Sequence, residues 1–209
     1  FIGSPLIKKL LEDKNNIVYS IYRRKIAHEI INERFFKIEN FDLATSNYID
    51  LDNINFDYCF HCAANSNYLE QNKKHFKADN IDATKKICSY LKTKNIKLFV
   101  YLSTIGVHDR NYLSFEKGKI NEKSSMSAKS LYGKSKISSE KIVKSSTLNC
   151  LIIRPSWIYG QNMSKKSHIR QLYEWSKQGK LFTKINFPGR VTVCEINNFL
   201  NVLIKLSLK

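Results

Sequence analysis

Two short apolar runs, with a stretch of helical composition between them, constrain the fold of this sequence more than any other feature. Residues 98–102 and 150–153 are continuously hydrophobic, which is typical of strands buried on both faces of a parallel sheet. Residues 129–146 contain no proline and have the composition of a helix. The order strand, helix, strand therefore predicts an α/β fold with a parallel sheet.

The helical stretch carries a tyrosine and a lysine that are suited to proton transfer. Tyr132 and Lys136 are four residues apart, so their side chains share one face of the helix. A phenol has an unperturbed pKa of about 10, and a nearby ammonium group lowers it by favouring the phenolate. Taken alone, this spacing is more typical of a solvated helix surface. Ser103 and Thr104 add a second signal, because they follow the first run at the end where open α/β sheets bind ligands.

The order of these parts resembles a known family once the next residues are included. The second run leads into Arg-Pro-x-x-x-Tyr-Gly at residues 154–160. A strand ending in hydroxyls, a helix with Tyr-x-x-x-Lys and a strand leading into this motif together resemble the extended short-chain dehydrogenase/reductase family, the NAD(P)-dependent epimerase/dehydratases. The resemblance covers nearly the whole chain and implies a Rossmann-like, doubly wound parallel sheet in residues 1–160. Residues 161–209 are then expected to begin the substrate-binding portion.

The start of the chain departs from the family pattern. Of the family's Gly-x-x-Gly-x-x-Gly motif only the last glycine, Gly3, is present, and the strand before it is missing. We therefore expect the chain to be a fragment, in which Gly3 allows the first helix to pack closely on a strand. The missing strand would lie in the middle of the sheet, beside the strands at Ile17 and Tyr58. Without it, the isolated chain is expected to be poorly stable.

The resemblance implies catalytic roles for a small set of residues. Tyr132 would exchange a proton with a substrate hydroxyl or carbonyl, while Lys136 would hold the nicotinamide ribose and lower the pKa of Tyr132. Thr104, with Ser103 beside it, would hydrogen-bond the same substrate oxygen, and Asn80 would support Lys136 through water. The residues expected to contact the cofactor are Phe1, Ile2, Gly3, Arg23, Arg24, Asp42, Leu43, Ala63, Ala64, Ser103, Lys136 and Pro155.

The choice of cofactor depends on the residues after the strand at 17–22. An acidic residue at this point binds the ribose hydroxyls of NAD, whereas an arginine accommodates the 2′-phosphate of NADP. Arg23 and Arg24 occupy the position and slightly favour NADP(H). Exposed positive charge at a strand end explains the pair about equally well. Further on, Asp42 and Leu43 resemble the pair that contacts the adenine in the family.

The four residues directly after Thr104 narrow the choice of reaction. Sugar-nucleotide 4,6-dehydratases of the family place acidic residues at this point, but residues 105–108 are Ile-Gly-Val-His. Dehydration is therefore disfavoured, and a nucleotide-sugar 4-epimerase or a ketoreductase is predicted. The epimerase leads narrowly, although the preference for NADP(H) favours the reductase. The alternative is an NADP(H)-binding redox sensor or an inactive fragment without turnover, against which the retention of both Tyr132 and Lys136 argues.

The composition limits the classes of binding partner that can be expected for the chain. The 209 residues include 35 Lys and Arg against 18 Asp and Glu, for a net charge of +17. A nucleic-acid partner would require a basic block or a recognition motif, whereas the basic residues are scattered, so none is predicted. No apolar run approaches the roughly 20 residues of a membrane span. We expect a small-molecule substrate, with a homodimer as an additional expectation.

The cysteines indicate the compartment and argue against a metal site. Five cysteines, an odd number spread along the chain, are typical of a reducing compartment, so a cytoplasmic location is predicted. Cys59 and Cys62 lie three residues apart in a predicted strand and would face opposite sides, and no second pair completes a zinc site. We predict no metal. His61, between them, is expected to be a core histidine without acid–base work.

Overall fold

The computed structural model describes residues 1–23, 30–67, 70–108, 120–163, 167–178 and 192–208. Its strands are β1 (Val18–Ile21), β2 (Phe35–Ile38), β3 (Tyr58–His61), β4 (Leu98–Leu102), β5 (Cys150–Ile153), β6 (Trp157–Tyr159) and β7 (Val193–Glu195). Its helical elements are α1 (Gly3–Leu10), α2 (Lys73–Phe76), a π-helical turn (Lys77–Asp82), α3 (Ala83–Leu91), α4 (Leu131–Ser145), α5 (His168–Lys177) and α6 (Ile196–Ser207), with short 3-10 turns at Tyr48–Leu51 and Ile105–His108.

The strands pair in parallel, which confirms the predicted α/β class. β3, β4 and β5 form one sheet in that order, β1 and β2 form another, and β6 pairs with β7. The sequence predicts a single main sheet, whereas the described strands form separate sheets. The break falls between the sheet that contains β1 and the sheet that contains β3.

The central strand β4 explains the layered core. Its residues are buried on both faces, so alternate side chains enter different hydrophobic clusters. Phe99 and Tyr101 pack in a cluster with residues of α3 and α4. Val100 and Leu102 pack in a second cluster with residues of α1 and α6. The sheet is thus sandwiched between two helical layers, and the carboxyl end of β4 lies at the centre of one edge.

The first helix packs against two parts of the core. In α1, Leu6 enters the cluster of α6, while Ile7 packs with Phe35 of β2. Gly3 was expected to allow close packing of helix on strand, but a Cβ added there would meet no atom of the described residues within 4 Å. The described strands therefore leave that expectation untested, and it stays a prediction.

The last helix joins the main core. Leu200 and Leu203 of α6 are buried beside Val100 and Leu102 of β4. Residues on both sides of position 160 therefore share one hydrophobic cluster. The predicted division at 160, between a cofactor-binding domain and a substrate-binding portion, stays a prediction. None of the helices that the structure describes has the length and hydrophobicity of a membrane span.

Candidate active site

The first turn of α4 is fixed tightly against the turn that follows β4. Ser130 caps the helix, because its Oγ accepts a hydrogen bond from the backbone N–H of Gly133 at 3.0 Å. A Cβ added at Gly133 would lie 2.6 Å from the carbonyl oxygen of Gly106. Gly106 in turn donates its backbone N–H to the Oγ1 of Thr104 at 3.1 Å. The glycine contact thus brings the start of α4 beside the end of β4.

Tyr132 and Lys136 lie on the buried face of α4. Their exposed fractions are 9% and 2%, which excludes the solvated-surface interpretation of their spacing. The Nζ of Lys136 donates a hydrogen bond of 2.6 Å to the carbonyl oxygen of Leu102 and lies 4.7 Å from the ring centroid of Tyr101. The ammonium group therefore sits directly at the carboxyl end of β4, where a ligand was expected.

The position of Lys136 changes the charges around it. Burial lowers the pKa of Lys136 to about 8, against the raising effects of the Cys62 thiol and the Glu140 carboxylate. Burial, with help from the charge of Lys136, lowers the pKa of His61 to about 3. His61 is therefore neutral, and its Nε2 lies 3.1 Å from the Oγ1 of Thr84. This is the environment of a core histidine, as expected, whereas Lys136 remains mostly protonated at neutral pH.

The two hydroxyls after β4 differ in their partners. The Oγ of Ser103 donates a hydrogen bond of 2.6 Å to the Oε1 of Glu140, and both residues are buried. The Oγ1 of Thr104 accepts from Gly106, an arrangement in which its O–H is still able to donate. The hydroxyl hydrogen of Ser103 is therefore already donated to Glu140, so Thr104 is the better donor to a substrate oxygen.

Asn80 lies in the π-helical turn Lys77–Asp82 and holds the segment after β3. Its Oδ1 accepts from the backbone N–H of Asn65 at 2.7 Å, and its Nδ2 donates to the carbonyl oxygen of Asn65 at 3.0 Å. The Nδ2 also donates to the Oγ of Ser135 at 2.8 Å. Asn80 therefore contacts the residue before Lys136, and its predicted link to Lys136 through water remains a prediction. π-Helical turns are frequent at functional sites.

Small side chains follow β3, as expected for a cofactor site. Ala63 is exposed and Ala64 is half-buried, so a ligand could approach this stretch of backbone. Pro155, after β5, is also half-buried, and its carbonyl oxygen accepts from the N–H of Ile105 at 2.9 Å. These residues surround the same sheet edge as Thr104.

The start of α1 lies within electrostatic range of Cys62, which follows β3. Phe1 is 45% exposed, Ile2 packs at the margin of the second cluster, and the first turn is open at Gly3. Burial raises the pKa of Cys62 to about 11, while the charges of Lys136 and the Phe1 amino group act to lower it. Cys62 therefore lies within electrostatic range of both groups, so the Phe1 amino group and Lys136 of α4 are both near the end of β3.

The residues expected to select the cofactor are joined by ion pairs. The Nη2 of Arg23 lies 2.7 Å from Asp79 Oδ1, and its Nε lies 3.2 Å from Asp42 Oδ2. The hydrogen bond that Arg23 donates to Asp79 raises the pKa of Arg23. Leu43, beside Asp42, packs at the margin of the first cluster. Arg24 lies outside the described residues, so only Arg23 can be placed, and two carboxylates already compensate its charge.

The sequence interpretation missed a buried ion pair. Glu140 is fully buried on α4, and Arg154 meets it with Nε at 2.8 Å from Oε1 and Nη2 at 2.7 Å from Oε2. Burial acts to raise the pKa of Glu140, but the hydrogen bonds from Arg154 and Ser103 outweigh it and hold the pKa below its usual value. A signal was present, because Glu140 is one turn beyond Lys136 on the same face, and a buried carboxylate requires a partner.

The residues present fit a nicotinamide dinucleotide at this sheet edge. The small, accessible Ala63 leaves room for a ligand beside the backbone, and Lys136 supplies a charged donor for a ribose hydroxyl. Asp42 supplies a carboxylate where the adenosine end of the cofactor is expected. Within the described ranges, no three His, Cys, Asp or Glu side chains are grouped so that they could hold a metal ion.

Comparisons with known proteins agree with this geometry. A sequence model of the NAD dependent epimerase/dehydratase family matches residues 1–192. The chain is 27% identical over 200 residues to the uncharacterized UDP-glucose epimerase YtcB of Bacillus subtilis, covering 88% of this chain and 61% of YtcB. It therefore spans about three-fifths of the length of that curated relative.

Solved structures show the same fold. UDP-glucuronic acid 4-epimerase from Bacillus cereus, in complex with UDP-glucuronic acid and NAD, is 20% identical and matches with a TM-score of 0.81, covering 99% of this chain and 70% of that one. The Bordetella bronchiseptica enzyme WbmG, in complex with NAD, is 16% identical and matches with a TM-score of 0.79, covering 100% of this chain and 66% of that one. The predicted Rossmann-like fold is confirmed. Because the family model extends over residues 1–192, the chain belongs to the NAD dependent epimerase/dehydratase family.

Proposed function

We propose that this chain carries the cofactor-binding and proton-transferring part of a nucleotide-sugar 4-epimerase. One observation carries the proposal: Tyr132 and Lys136 lie on the buried face of α4, where Lys136 contacts the end of β4 and the first helical turn packs at Gly133 against Gly106, which bonds Thr104. A phenol, an ammonium group and a neutral hydroxyl at one sheet edge are the groups needed to move a proton at a sugar carbon that is oxidised and reduced again.

Each residue has a separate task in this scheme. Thr104 donates a hydrogen bond to the sugar oxygen, and Tyr132 removes the proton of that oxygen and later returns it. Lys136 is mostly protonated at neutral pH and stabilises the phenolate form of Tyr132. A nicotinamide cofactor, when bound, supplies the acceptor and donor of the two electrons. After oxidation, the keto sugar must rotate so that the opposite face is reduced.

The surroundings of Thr104 support epimerisation over dehydration. Elimination of water needs an additional acid and base near the reacting carbons. Residues 105–108 carry no carboxylate, and His108 is fully buried with its Nδ1 donating to the carbonyl oxygen of Ser125 at 2.9 Å. A ketoreductase would need the same residues as an epimerase. The 4-epimerase is favoured because a protein of that activity and YtcB, named as an epimerase, are among the similar proteins.

We also propose NAD as the cofactor. The slight preference for NADP(H) depended on arginines able to receive a 2′-phosphate, but Arg23 is already paired with Asp42 and Asp79. This group of three carries a net negative charge, which repels a phosphate and can accept hydrogen bonds from ribose hydroxyls. NAD is bound in the similar structures from B. cereus and B. bronchiseptica.

The remaining expectations enter the proposal unchanged. The substrate is a nucleotide sugar, as in the B. cereus structure that contains UDP-glucuronic acid. A cytoplasmic location is supported by the cysteines, all of which are free thiols. A homodimer and a substrate-binding portion that begins at residue 161 remain predictions.

Product analysis tests the proposed function. The chain is incubated with NAD and either UDP-glucose or UDP-glucuronic acid, and the sugar nucleotides are separated by chromatography. We expect the C4 epimer from one of the two substrates, with no product from Tyr132→Phe. Binding of both ligands without any product would instead support the alternative, a binding module without turnover. Equal product from the wild type and Tyr132→Phe would refute the role of the phenol.

A further inference from the structure

A single buried carboxylate joins three elements beside the candidate active site. Glu140 lies on α4, one turn beyond Lys136, and is fully buried. It accepts a bidentate pair of hydrogen bonds from Arg154, which follows β5, at 2.8 and 2.7 Å. It also accepts a hydrogen bond of 2.6 Å from Ser103, which follows β4. Hydrogen bonds to Glu140 therefore connect the ends of β4 and β5 to α4, one turn after Lys136.

The guanidinium of Arg154 also reaches the segment that leads into α4. Its Nη1 donates to the carbonyl oxygen of Glu122 and to the Nε2 of His108, each at 3.4 Å, and its Nη2 lies 3.2 Å from the sulfur of Met126. His108 donates its Nδ1–H to the carbonyl oxygen of Ser125 at 2.9 Å. One arginine thus connects the buried carboxylate with the segment 121–128.

Stability alone is a poor reason for this arrangement. Removing two charges from water costs about as much as their attraction returns, so a buried ion pair is often no more stabilising than apolar residues of the same volume. Its bidentate geometry, however, fixes distance and direction more sharply than apolar contacts do. A pair of this kind suits a place where α4 must keep one register against the strands.

We propose that Glu140 and Arg154 are positioning residues, which set the register of α4 against β4 and fix the segment 121–128 at the start of that helix. We call the hydrogen-bonded group of Glu140, Arg154 and Ser103 the brace. Because Ser103 belongs to it, Thr104 is the hydroxyl left to face the substrate. The consequence for catalysis rests on the proposed function, but the brace itself is a property of the folded chain. The register matters because Tyr132 and Lys136 are carried by the same helix.

The brace also affects Lys136 through its charge. Glu140 acts to raise the pKa of Lys136, whereas burial lowers it. If the carboxylate is replaced by an amide, Arg154 keeps its positive charge and loses its partner. The loss of the negative charge on Glu140 and the uncompensated positive charge on Arg154 both disfavour the protonated form of Lys136. A residue that only filled space would not move this titration.

The test compares Glu140→Gln with Glu174→Gln in the full chain. Glu174 is a matched control, because it forms an Arg–Glu pair with Arg170 at 2.7 Å but lies on the exposed surface of α5. The two readouts are the titration of Lys136, followed by NMR of labelled lysine, and hydrogen exchange of the Ser127 amide, which donates to the Val107 carbonyl at 2.8 Å. Neither readout requires turnover.

We expect Glu140→Gln to lower the pKa of Lys136 by about one unit, a tenfold loss of proton affinity. We expect exchange at Ser127 to accelerate by about tenfold or more, because its segment loses its anchor. Glu174→Gln should change neither. A folded Glu140→Gln chain with unchanged titration and unchanged exchange would overturn the proposal.

A second variant decides the matter if Glu140→Gln fails to fold. Arg154→Lys keeps the positive charge beside Glu140 but cannot form the bidentate contact. We expect the Lys136 titration to stay near its original position and Ser127 exchange to accelerate. Unchanged exchange would contradict the brace. If the wild type also has epimerase activity, both variants should lower kcat more than they alter KM; if it has none, the two readouts still test the brace.

Discussion

Lys136 donates a hydrogen bond of 2.6 Å to the carbonyl oxygen of Leu102, the last residue of β4. An ammonium group that is 98% buried, with its neighbouring charge on Glu140 already paired to Arg154, is costly for a folded protein. We propose a functional reason for this cost, because the position brings a charged donor to the carboxyl end of β4, directly before Ser103 and Thr104.

Replacement of Lys136 should therefore stabilise the fold near neutral pH. The folded pKa is lowered from 10.5 to about 8, so between these values the unfolded chain binds more protons and stability rises with pH. Below pH 8 the folded chain carries the full cost, which is roughly 3 kcal/mol. Lys136→Met removes it but loses a hydrogen bond worth about 1 kcal/mol.

We expect a net gain of about 2 kcal/mol in the free energy of unfolding for Lys136→Met at pH 7. The gain should shrink as pH rises from about 8 to 10.5, the ordinary lysine value, and above it the lost hydrogen bond should leave the variant about 1 kcal/mol less stable than the wild type. Urea unfolding at neutral and high pH measures both quantities. A variant that is less stable than the wild type at pH 7 would show that Lys136 is not penalised by burial.

The two described glycines of the first and fourth helices should respond oppositely to alanine. At Gly133 a methyl group would meet the Gly106 carbonyl at 2.6 Å and the Ala128 Cβ at 2.7 Å, neither of which can rotate away. We expect Gly133→Ala to lower the free energy of unfolding by about 1–3 kcal/mol. Gly3→Ala, where nothing lies within 4 Å, should be neutral or slightly stabilising. Equal unfolding midpoints for both variants would contradict the close contact of α4.

Loss of the Asn80 side chain should loosen the segment after β3. Asn80→Ala removes the partner of the Asn65 N–H and carbonyl, and it removes one of the two hydrogen bonds of the Ser135 hydroxyl, which still donates to the Tyr132 carbonyl. We expect a loss of about 2–3 kcal/mol and faster hydrogen exchange at the Asn65 amide. Asn72→Ala is the control, because the Asn72 side chain makes only exposed contacts, with the Lys74 amide that it caps and with His75. Slow exchange at Asn65 in the Asn80 variant would contradict this role.

Cofactor preference should depend on the partners of Arg23. We expect NADH to bind more tightly than NADPH, as followed by quenching of protein fluorescence. Asp79→Asn should reduce the difference by roughly tenfold, about 1.4 kcal/mol, because it removes one negative charge and frees the guanidinium. Asp82→Asn is the matched control, since Asp82 pairs with Lys77 at 2.7 Å in the same π-helical turn. Tighter binding of NADPH by the wild type would support the original preference drawn from Arg23 and Arg24.

The parts of the fold that depend on local pattern could be predicted from sequence. The apolar runs that became β4 and β5, and the helix between them, follow from hydrophobicity and the absence of proline. The face shared by Tyr132 and Lys136 follows from helical spacing. Family resemblance then supplied the chemistry that spacing alone left open.

The parts that depend on distant partners could not be predicted in this way. Glu140 and Arg154 are 14 residues apart, on a helix and after a strand, so only their packing shows that they meet. The π-helical turn holds Asn80 against Asn65, 15 residues away, and hydrophobic periodicity does not show such a contact. Arg23 looked free because its partner Asp79 is 56 residues away.

The most direct test of the proposed chemistry monitors reduction of the bound cofactor. The chain is loaded with NAD and mixed with a UDP-hexose, and the absorbance of the reduced nicotinamide is recorded for the wild type and for Tyr132→Phe, with NAD affinity measured for both. We predict reduction by the wild type and none by the variant at equal NAD affinity. Reduction at the same rate in both, or a wild type that does not bind NAD, would contradict the assignment of Tyr132.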